Sequence, residues 1–159
     1  MLTRIGLFLL LLAAALAASN CGVFTNFPHF TSRSPDGHAV VRVMRNMPGS
    51  DAEYVFRVEV STAQERTVVY RHNRGASIGL VEAHWSADSG QVGLLICNRF
   101  GGGPVLISYD LANRRSLSPS VFRQALEEQI RSKYSLTDEA DVIRWACSNE
   151  GLEAYRHQR

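Results

Sequence analysis

The sequence lacks the charge imbalance that would point to an anionic or cationic macromolecular partner. It carries 17 basic and 15 acidic residues, and 16 against 15 remain once Arg4 is set aside. Nucleic-acid-binding domains need a basic surplus, so this balance argues against nucleic acid as a partner. Lysine is also nearly absent, because Lys133 is the only one and arginine supplies the other positive charges.

Long apolar runs are equally scarce, and the one at the N-terminus is too short to cross a bilayer. Residues 5–16 contain no polar side chain and follow Arg4, and small residues come directly after them. A membrane-spanning helix needs roughly 20 apolar residues. A buried core helix is the alternative, but the position and the flanks favour a signal peptide over residues 1–20. We therefore expect an exported protein of the bacterial periplasm or cell envelope.

Cysteine is rare, and the three residues form an odd set: Cys21, Cys97 and Cys147. An unpaired thiol is awkward in an oxidising compartment. Residues 16–22 resemble a bacterial lipobox, so Cys21 is a candidate for lipidation, which would anchor the chain to a membrane. Ordinary signal-peptidase cleavage after Ala17 or Ser19 is the other route. With lipid on Cys21, the remaining two cysteines would form a disulfide; two buried free thiols are the alternative.

Between residues 34 and 117 the apolar pattern has a period of two, which predicts an antiparallel β-meander. Residues 54–60 show it best, with Phe56, Val58 and Val60 inward and Arg57 and Glu59 outward. About six strands are expected, over residues 38–44, 54–60, 67–70, 78–85, 91–97 and 105–110. The preceding residues, 21–33, are aromatic and polar without a period, and a tether or an edge strand would both fit.

An internal repeat of about fifty residues divides this meander into two halves. The turn at residues 34–37 matches the turn at 86–90, and residues 58–66 match residues 108–115. These turns, with residues 107–113, resemble blade elements of TolB-type β-propellers. A propeller needs four or more blades, so the resemblance implies only the local meander. Small bacterial envelope lipoproteins of unknown function look similar and imply no activity.

After Leu117 the period becomes helical. Ser118 and Pro119 suit an N-cap and the first helical position, and an apolar stripe runs from Val121 to Ile130. A second helix is expected from Thr137, with Gly151 as its stop. Residues 118–150 are therefore predicted as a helical pair covering the sheet, and residues 151–159 as a polar tail. The fold class is α+β.

No motif predicts a catalytic or metal centre. Residues 75–79 match the G-x-S-x-G string around Ser77, but a strand follows where a hydrolase needs a helix. Glu82 and His84 share one strand face at spacing two, and a half-exposed polar face is the simpler interpretation. A zinc site would need three or four ligands.

Three further features have ordinary structural explanations. Asp36 and Asp88 occupy equivalent turn positions, where aspartate caps its own turn. The glycine loop at residues 101–103 precedes a strand and has no nearby lysine, so it is not a phosphate loop. Phe24, Phe27 and Phe30 either dock a partner or pack under the sheet.

The sequence therefore predicts a non-enzymatic envelope protein with a binding or structural role, without a cofactor. Its expected partners are the membrane, through the N-terminal lipid, and a protein that the sequence does not identify. An inhibitor or immunity-type protein with one protein partner is one alternative, and a small hydrolase is the other.

Overall fold

A computed structural model describes residues 27–45, 56–72, 78–98 and 103–157. Residues 1–26, which include the predicted signal segment, Cys21 and Phe24, lie outside the described part. So do residues 46–55, Ser77 and most of the glycine loop. No helix within the described ranges is both long enough and apolar enough to cross a membrane.

The described residues form an α+β fold of two antiparallel sheets and three short helices. Sheet 1 contains β1 (Phe27–Arg33), β2 (Val40–Arg45), β3 (Phe56–Ser61) and β4 (Arg66–His72). Sheet 2 contains β5 (Ile78–Trp85), β6 (Gln91–Asn98), β7 (Pro104–Asp110) and β8 (Arg115–Leu117). The helices are α1 (Arg123–Tyr134), α2 (Val142–Ala146) and α3 (Asn149–His157). In both sheets the strands lie side by side in chain order.

The described residues contain eight strands, so the expectation of about six was wrong. The first additional strand is β1, which makes residues 27–33 an edge strand rather than a tether. Pro28 is compatible with that position, because an edge strand tolerates a residue without an N–H donor. The second is β8, only three residues long, which is too short to show a period-two pattern.

The two sheets and the helices make three layers around two apolar cores. The first core lies between the sheets and contains Val41, Val43 and Val58 of sheet 1 with Val92, Leu94 and Ile96 of sheet 2. The second lies between sheet 2 and the helices, and its members come from β5, β6 and all three helices. Alternation along a strand separates the cores, since Leu95 and Cys97 face the helices.

Glu59 was predicted to point into solvent, yet its side chain is only 2% exposed. It does lie on the outer side of sheet 1, as the alternation requires. Arg57 Nε donates to Glu59 Oε1 at 2.6 Å, and Arg66 Nε donates to Oε2 at 2.7 Å. The two arginines therefore cover the carboxylate, which stays buried because it is paired.

The start of the first helix differs from the prediction. Helix α1 begins at Arg123, and Ser118 and Pro119 precede it in turns, one of which is closed by a hydrogen bond from Val121 N to the Ser118 carbonyl. Because turns rather than a helix lead up to Phe122, Val121 leaves the apolar stripe and is 51% exposed.

The predicted second helix is two helices. Asp141, not Thr137, caps α2, with its Oδ1 accepting from Arg144 N at 3.1 Å. Gly151 does not stop a helix but lies within α3, where a Cβ would stand 2.4 Å from the Trp145 carbonyl oxygen. Residues 151–157 are therefore helical rather than a loose tail, and the burial of Leu152 and Tyr155 fixes them.

Candidate functional site

The two repeated turns are built by the same side-chain contacts. In the first, Ser34 Oγ donates to Asp36 Oδ1 at 2.6 Å and accepts from Ala39 N at 2.9 Å. Asp36 Oδ1 also accepts from His38 N at 3.0 Å. The carboxylate and the hydroxyl thus satisfy backbone donors that a tight turn would otherwise leave unpaired.

The second turn repeats the arrangement between β5 and β6. Ser86 Oγ donates to Asp88 Oδ1 at 2.6 Å and accepts from Gln91 N at 2.9 Å. Asp88 Oδ1 accepts from Gly90 N at 3.0 Å. Asp36 and Asp88 therefore act in turn formation, as their positions in the sequence predict.

The two turns also meet in space. Asp36 N donates to Ser89 Oγ at 3.2 Å, which joins the β1–β2 turn of sheet 1 to the β5–β6 turn of sheet 2. Between them lies the turn-end groove, an open cavity of about 430 Å³. It is lined by the two turns and by residues 62–64, 111 and 112 of the β3–β4 and β7–β8 turns.

Hydrogen bonds lower the pKa values of the aspartates at this end. The hydrogen bond from Ser34 holds the pKa of Asp36 below its ordinary value, and the bond from Ser86 does the same for the pKa of Asp88. Asn113 lowers the pKa of Asp110 in the same way. A general acid at neutral pH needs a raised pKa, so these aspartates suit hydrogen-bond acceptance better than proton donation.

Glu82 and His84 lie on β5 and face the helices rather than solvent. Glu82 is 6% exposed and His84 is partly buried, so of the expected half-exposed polar face only His84 keeps that exposure. Lys133 of α1 donates to Glu82 Oε1, and Gln129 Nε2 donates to Glu82 Oε2 at 3.2 Å. His84 Nδ1 lies 3.2 Å from Gln129 Oε1. We call Glu82, His84, Gln129, Lys133 and Tyr134 the Glu82 cluster.

Gln129, Lys133 and Tyr134 are the members of this cluster that the sequence did not reveal. Burial, reinforced by the negative charge of Glu82, raises the pKa of Tyr134 to about 12. Its hydroxyl is buried and has no hydrogen-bond partner within the described residues. Lys133 Nζ lies 5.5 Å from the centre of the Tyr134 ring, which places the only lysine of the chain between a carboxylate and an aromatic face.

The Glu82 cluster binds α1 to sheet 2. Gln129 contacts the carboxylate, the histidine and the Ala83 carbonyl, 3.2 Å from its Nε2. His72, which is near His84 in sequence, lies in the other sheet and stacks on Phe56 at 5.0 Å. Within the described ranges, no three histidine, cysteine or acidic side chains stand close enough together to hold a metal ion.

A disulfide between Cys97 and Cys147 links the same two layers. Cys97 is fully buried on β6, and Cys147 follows α2 at its C-terminal end. The two cysteines are 50 residues apart in the sequence. The bond is the expected one of the two alternatives, a disulfide rather than two buried free thiols. In the chain-entropy model, closing a loop of this length stabilises the fold by about 4 kcal/mol.

The comparisons with known proteins add no relationship to this geometry. No family model, curated protein or solved structure matches the chain.

Proposed function

We propose that this chain is an exported cell-envelope protein with a non-enzymatic binding or structural role, held at the membrane by a lipid on Cys21. The observation that carries the proposal is the Cys97–Cys147 disulfide. Structural disulfides belong mainly to oxidising compartments, which bacterial proteins reach by export. The apolar N-terminal segment supplies the export signal.

Since it bonds Cys97 to Cys147, the disulfide also leaves Cys21 without a cysteine to pair with in the same chain. Lipidation removes its thiol and so accounts for the odd number of cysteines. The lipobox-like residues before Cys21 support the same assignment.

A binding or structural role is supported by how the polar side chains are used. Asp36 and Asp88 accept hydrogen bonds within their own turns, and Glu82 is occupied by Lys133 and Gln129. These groups hold turns and layers together. A carboxylic acid that donates a proton at neutral pH would instead need a raised pKa, whereas the pKa values of Asp36 and Asp88 are lowered.

We also interpret the two sheets as repeated, blade-like units. Both are four-stranded meanders in chain order, and both begin their first hairpin with the same serine–aspartate turn. The inner faces of the two sheets pack against each other, as neighbouring blades do.

The turn-end groove favours a second candidate, an inhibitor or immunity-type protein with one protein partner. The groove is open, and its lining includes the ionised Asp36 and Asp88. A loop of a partner protein that carries a basic side chain would fit this surface. Recovery of a one-to-one complex from an envelope extract, lost on Asp36→Lys, would favour this candidate, whereas recovery with large assemblies would oppose it.

The deciding experiment for the main proposal is the intact mass of the mature protein from a membrane fraction, with and without reductant. A lipid-sized increment at Cys21 and a gain of two protons on reduction are expected. Cys21→Ser is the matched control and should lose the increment but retain the reducible bond. A mature chain that starts near Ala18 or Asn20 and carries a free thiol at Cys21 would contradict lipidation.

A further inference from the structure

The outer side of sheet 1 is a sheet face with one dominant charge. Strand register places twelve residues on it in three rows that run across the four strands. The rows are Arg33, Val40, Ser61 and Arg66; Thr31, Arg42, Glu59 and Val68; and Pro28, Met44, Arg57 and Arg71. We call these twelve residues the arginine face.

This face carries five arginines and a single acid, Glu59, a surplus of four positive charges. Arg57 and Arg66 share Glu59 between them. Arg33 instead donates to the Gly37 carbonyl at 3.1 Å, and Arg42 to Ser61 Oγ at 3.2 Å, so neither contact neutralises the guanidinium. Arg71 lies exposed at the edge strand β4, directly opposite Arg57.

The other side of the molecule has the opposite charge. All three helices pack on sheet 2, away from the arginine face. Residues 123–157 contain seven acidic residues against five lysines and arginines, a net charge of −2. Within the described ranges, the surplus of positive charge therefore lies on the arginine face and the helix layer carries a surplus of negative charge.

The arginine face is also the side of the fold closest along the chain to Cys21. Strand β1 forms one edge of sheet 1 and starts at Phe27, which leaves six residues, 21–26, between the candidate lipid and the sheet. Six extended residues span at most about 20 Å. A lipid at Cys21 would therefore hold sheet 1 close to the bilayer.

We propose that the arginine face docks on an anionic phospholipid surface and orients the tethered domain with its helices away from the membrane. The tether in this inference rests on the proposed lipidation of Cys21; the docking itself rests on the face. Guanidinium groups bind phosphate through paired N–H donors, and each basic residue near an anionic bilayer strengthens binding measurably. Val68, which is 37% exposed in the middle row, is an apolar residue of the face that is open to the headgroups.

The test uses the mature chain beginning at residue 21, without lipid, and its co-sedimentation with vesicles. This chain keeps every described residue. Phosphatidylglycerol vesicles should bind it roughly a thousandfold better than phosphatidylcholine vesicles at low salt. Each of the four surplus charges contributes about 1 kcal/mol of binding free energy, and every 1.4 kcal/mol changes the affinity about tenfold. The binding should weaken as ionic strength rises.

Two double variants separate the face from net charge alone. Arg33→Gln/Arg71→Gln should weaken binding to the anionic vesicles by roughly 30-fold, since two surface charges are removed. Neither residue contacts Glu59, so the variant keeps the buried ion pairs. Arg144→Gln/Arg156→Gln removes the same charge from the exposed helix layer and should bind like the unaltered chain.

Equal binding to both vesicle types, equal loss in both double variants, or tighter binding to a DNA duplex than to the anionic vesicles would each overturn the inference. The result is independent of the proposed function. A lipid on Cys21 without vesicle binding would support the anchor and contradict the docking of the arginine face. Vesicle binding without a lipid on Cys21 would support the docking and contradict the anchor.

Discussion

Sheets 1 and 2 have the same strand order, yet sheet 1 is buried on one face and sheet 2 on both. Strand β4 alternates between exposed and partly buried residues, whereas β6 is buried continuously from Val92 to Cys97. The helices make this difference, because they cover sheet 2 and leave the outer side of sheet 1 to arginines. The same meander therefore acts as a central layer in one copy and as a surface in the other.

The largest effect should come from removing the disulfide that ties the helix layer to sheet 2. Cys97→Ala/Cys147→Ala should lower the free energy of unfolding by about 4 kcal/mol, because the unfolded chain regains the entropy of an open loop. Urea unfolding measures this. Reductant should destabilise the unaltered protein and leave the double variant unchanged. A variant as stable as the parent would show that the layers are held without the bond.

The next largest effect should distinguish the buried acids of the two sheets. Glu82 has one cationic partner, Lys133, whereas Glu59 has two. Lys133→Met should cost about 3 kcal/mol, at the low end for a broken buried pair because Lys133 is 38% exposed. Arg66→Gln should cost less than about 1 kcal/mol, since Arg57 stays and Arg66 is itself exposed.

Urea midpoints of these two variants test the comparison. Glu82→Gln/Lys133→Met, which removes both charges, should recover part of the loss. Equal losses in the two single variants would mean that the number of cationic partners does not decide the stability of these acids.

A smaller effect is expected where α1 approaches sheet 2. A Cβ at Gly93 would lie 2.2 Å from Phe122 Cβ, so Gly93→Ala should cost about 2 kcal/mol by pushing the helix off the sheet. Gly79→Ala is the matched control. Its Cβ would clash with Leu152 Cδ2, at 2.6 Å, and the end of that side chain can move, while the Cys97 carbonyl oxygen lies at an ordinary contact distance of 3.4 Å. Thermal unfolding should rank Gly93→Ala below Gly79→Ala, and the reverse order would oppose close packing at Phe122.

The smallest effect should be the same in both sheets, because their turns are built alike. The pKa values of Asp36 and Asp88 are lowered by folding, so their stabilisation is present above the ordinary value of 3.8 and is lost as pH falls through the folded values. Burial raises the pKa of Glu59, but the bonds from Arg66 and Arg57 outweigh it, and its contribution is likewise lost in acid.

Asp36→Asn and Asp88→Asn should each lower the melting temperature slightly at neutral pH and make it less dependent on pH below about 4. Melting temperatures across the acid range measure both changes. A loss in only one of the two variants would show that the repeated turns are not energetically equivalent.

Strand positions and turns were predictable from the residues because their signals are local. The period-two alternation of residues 54–60 and the serine–aspartate turns depend on neighbours a few residues away. The helix boundaries were less predictable. Thr137 is a residue type that suits an N-cap, but Asp141 caps the helix instead. Arg131 of α1 donates to the carbonyls of Leu136 and Glu139, which lie in the segment between the helices. Such contacts come from another helix and leave no local pattern.

The sequence by itself determined the antiparallel meander and the repeated turns, since both follow from local periodicity and turn chemistry. It left Cys97 and Cys147 open between a disulfide and two buried thiols, and the structure bonds them. Only the tertiary structure decided which sheet the helices cover. That choice buries Glu82 beside Lys133, isolates the Tyr134 hydroxyl and leaves five arginines together on the outer side of sheet 1. Positive and negative charges that are balanced along the chain are therefore separated in space. The reason is that the packing of the layers, and not the neighbouring residues in the sequence, decides which face of each strand lies in solvent and which in a core.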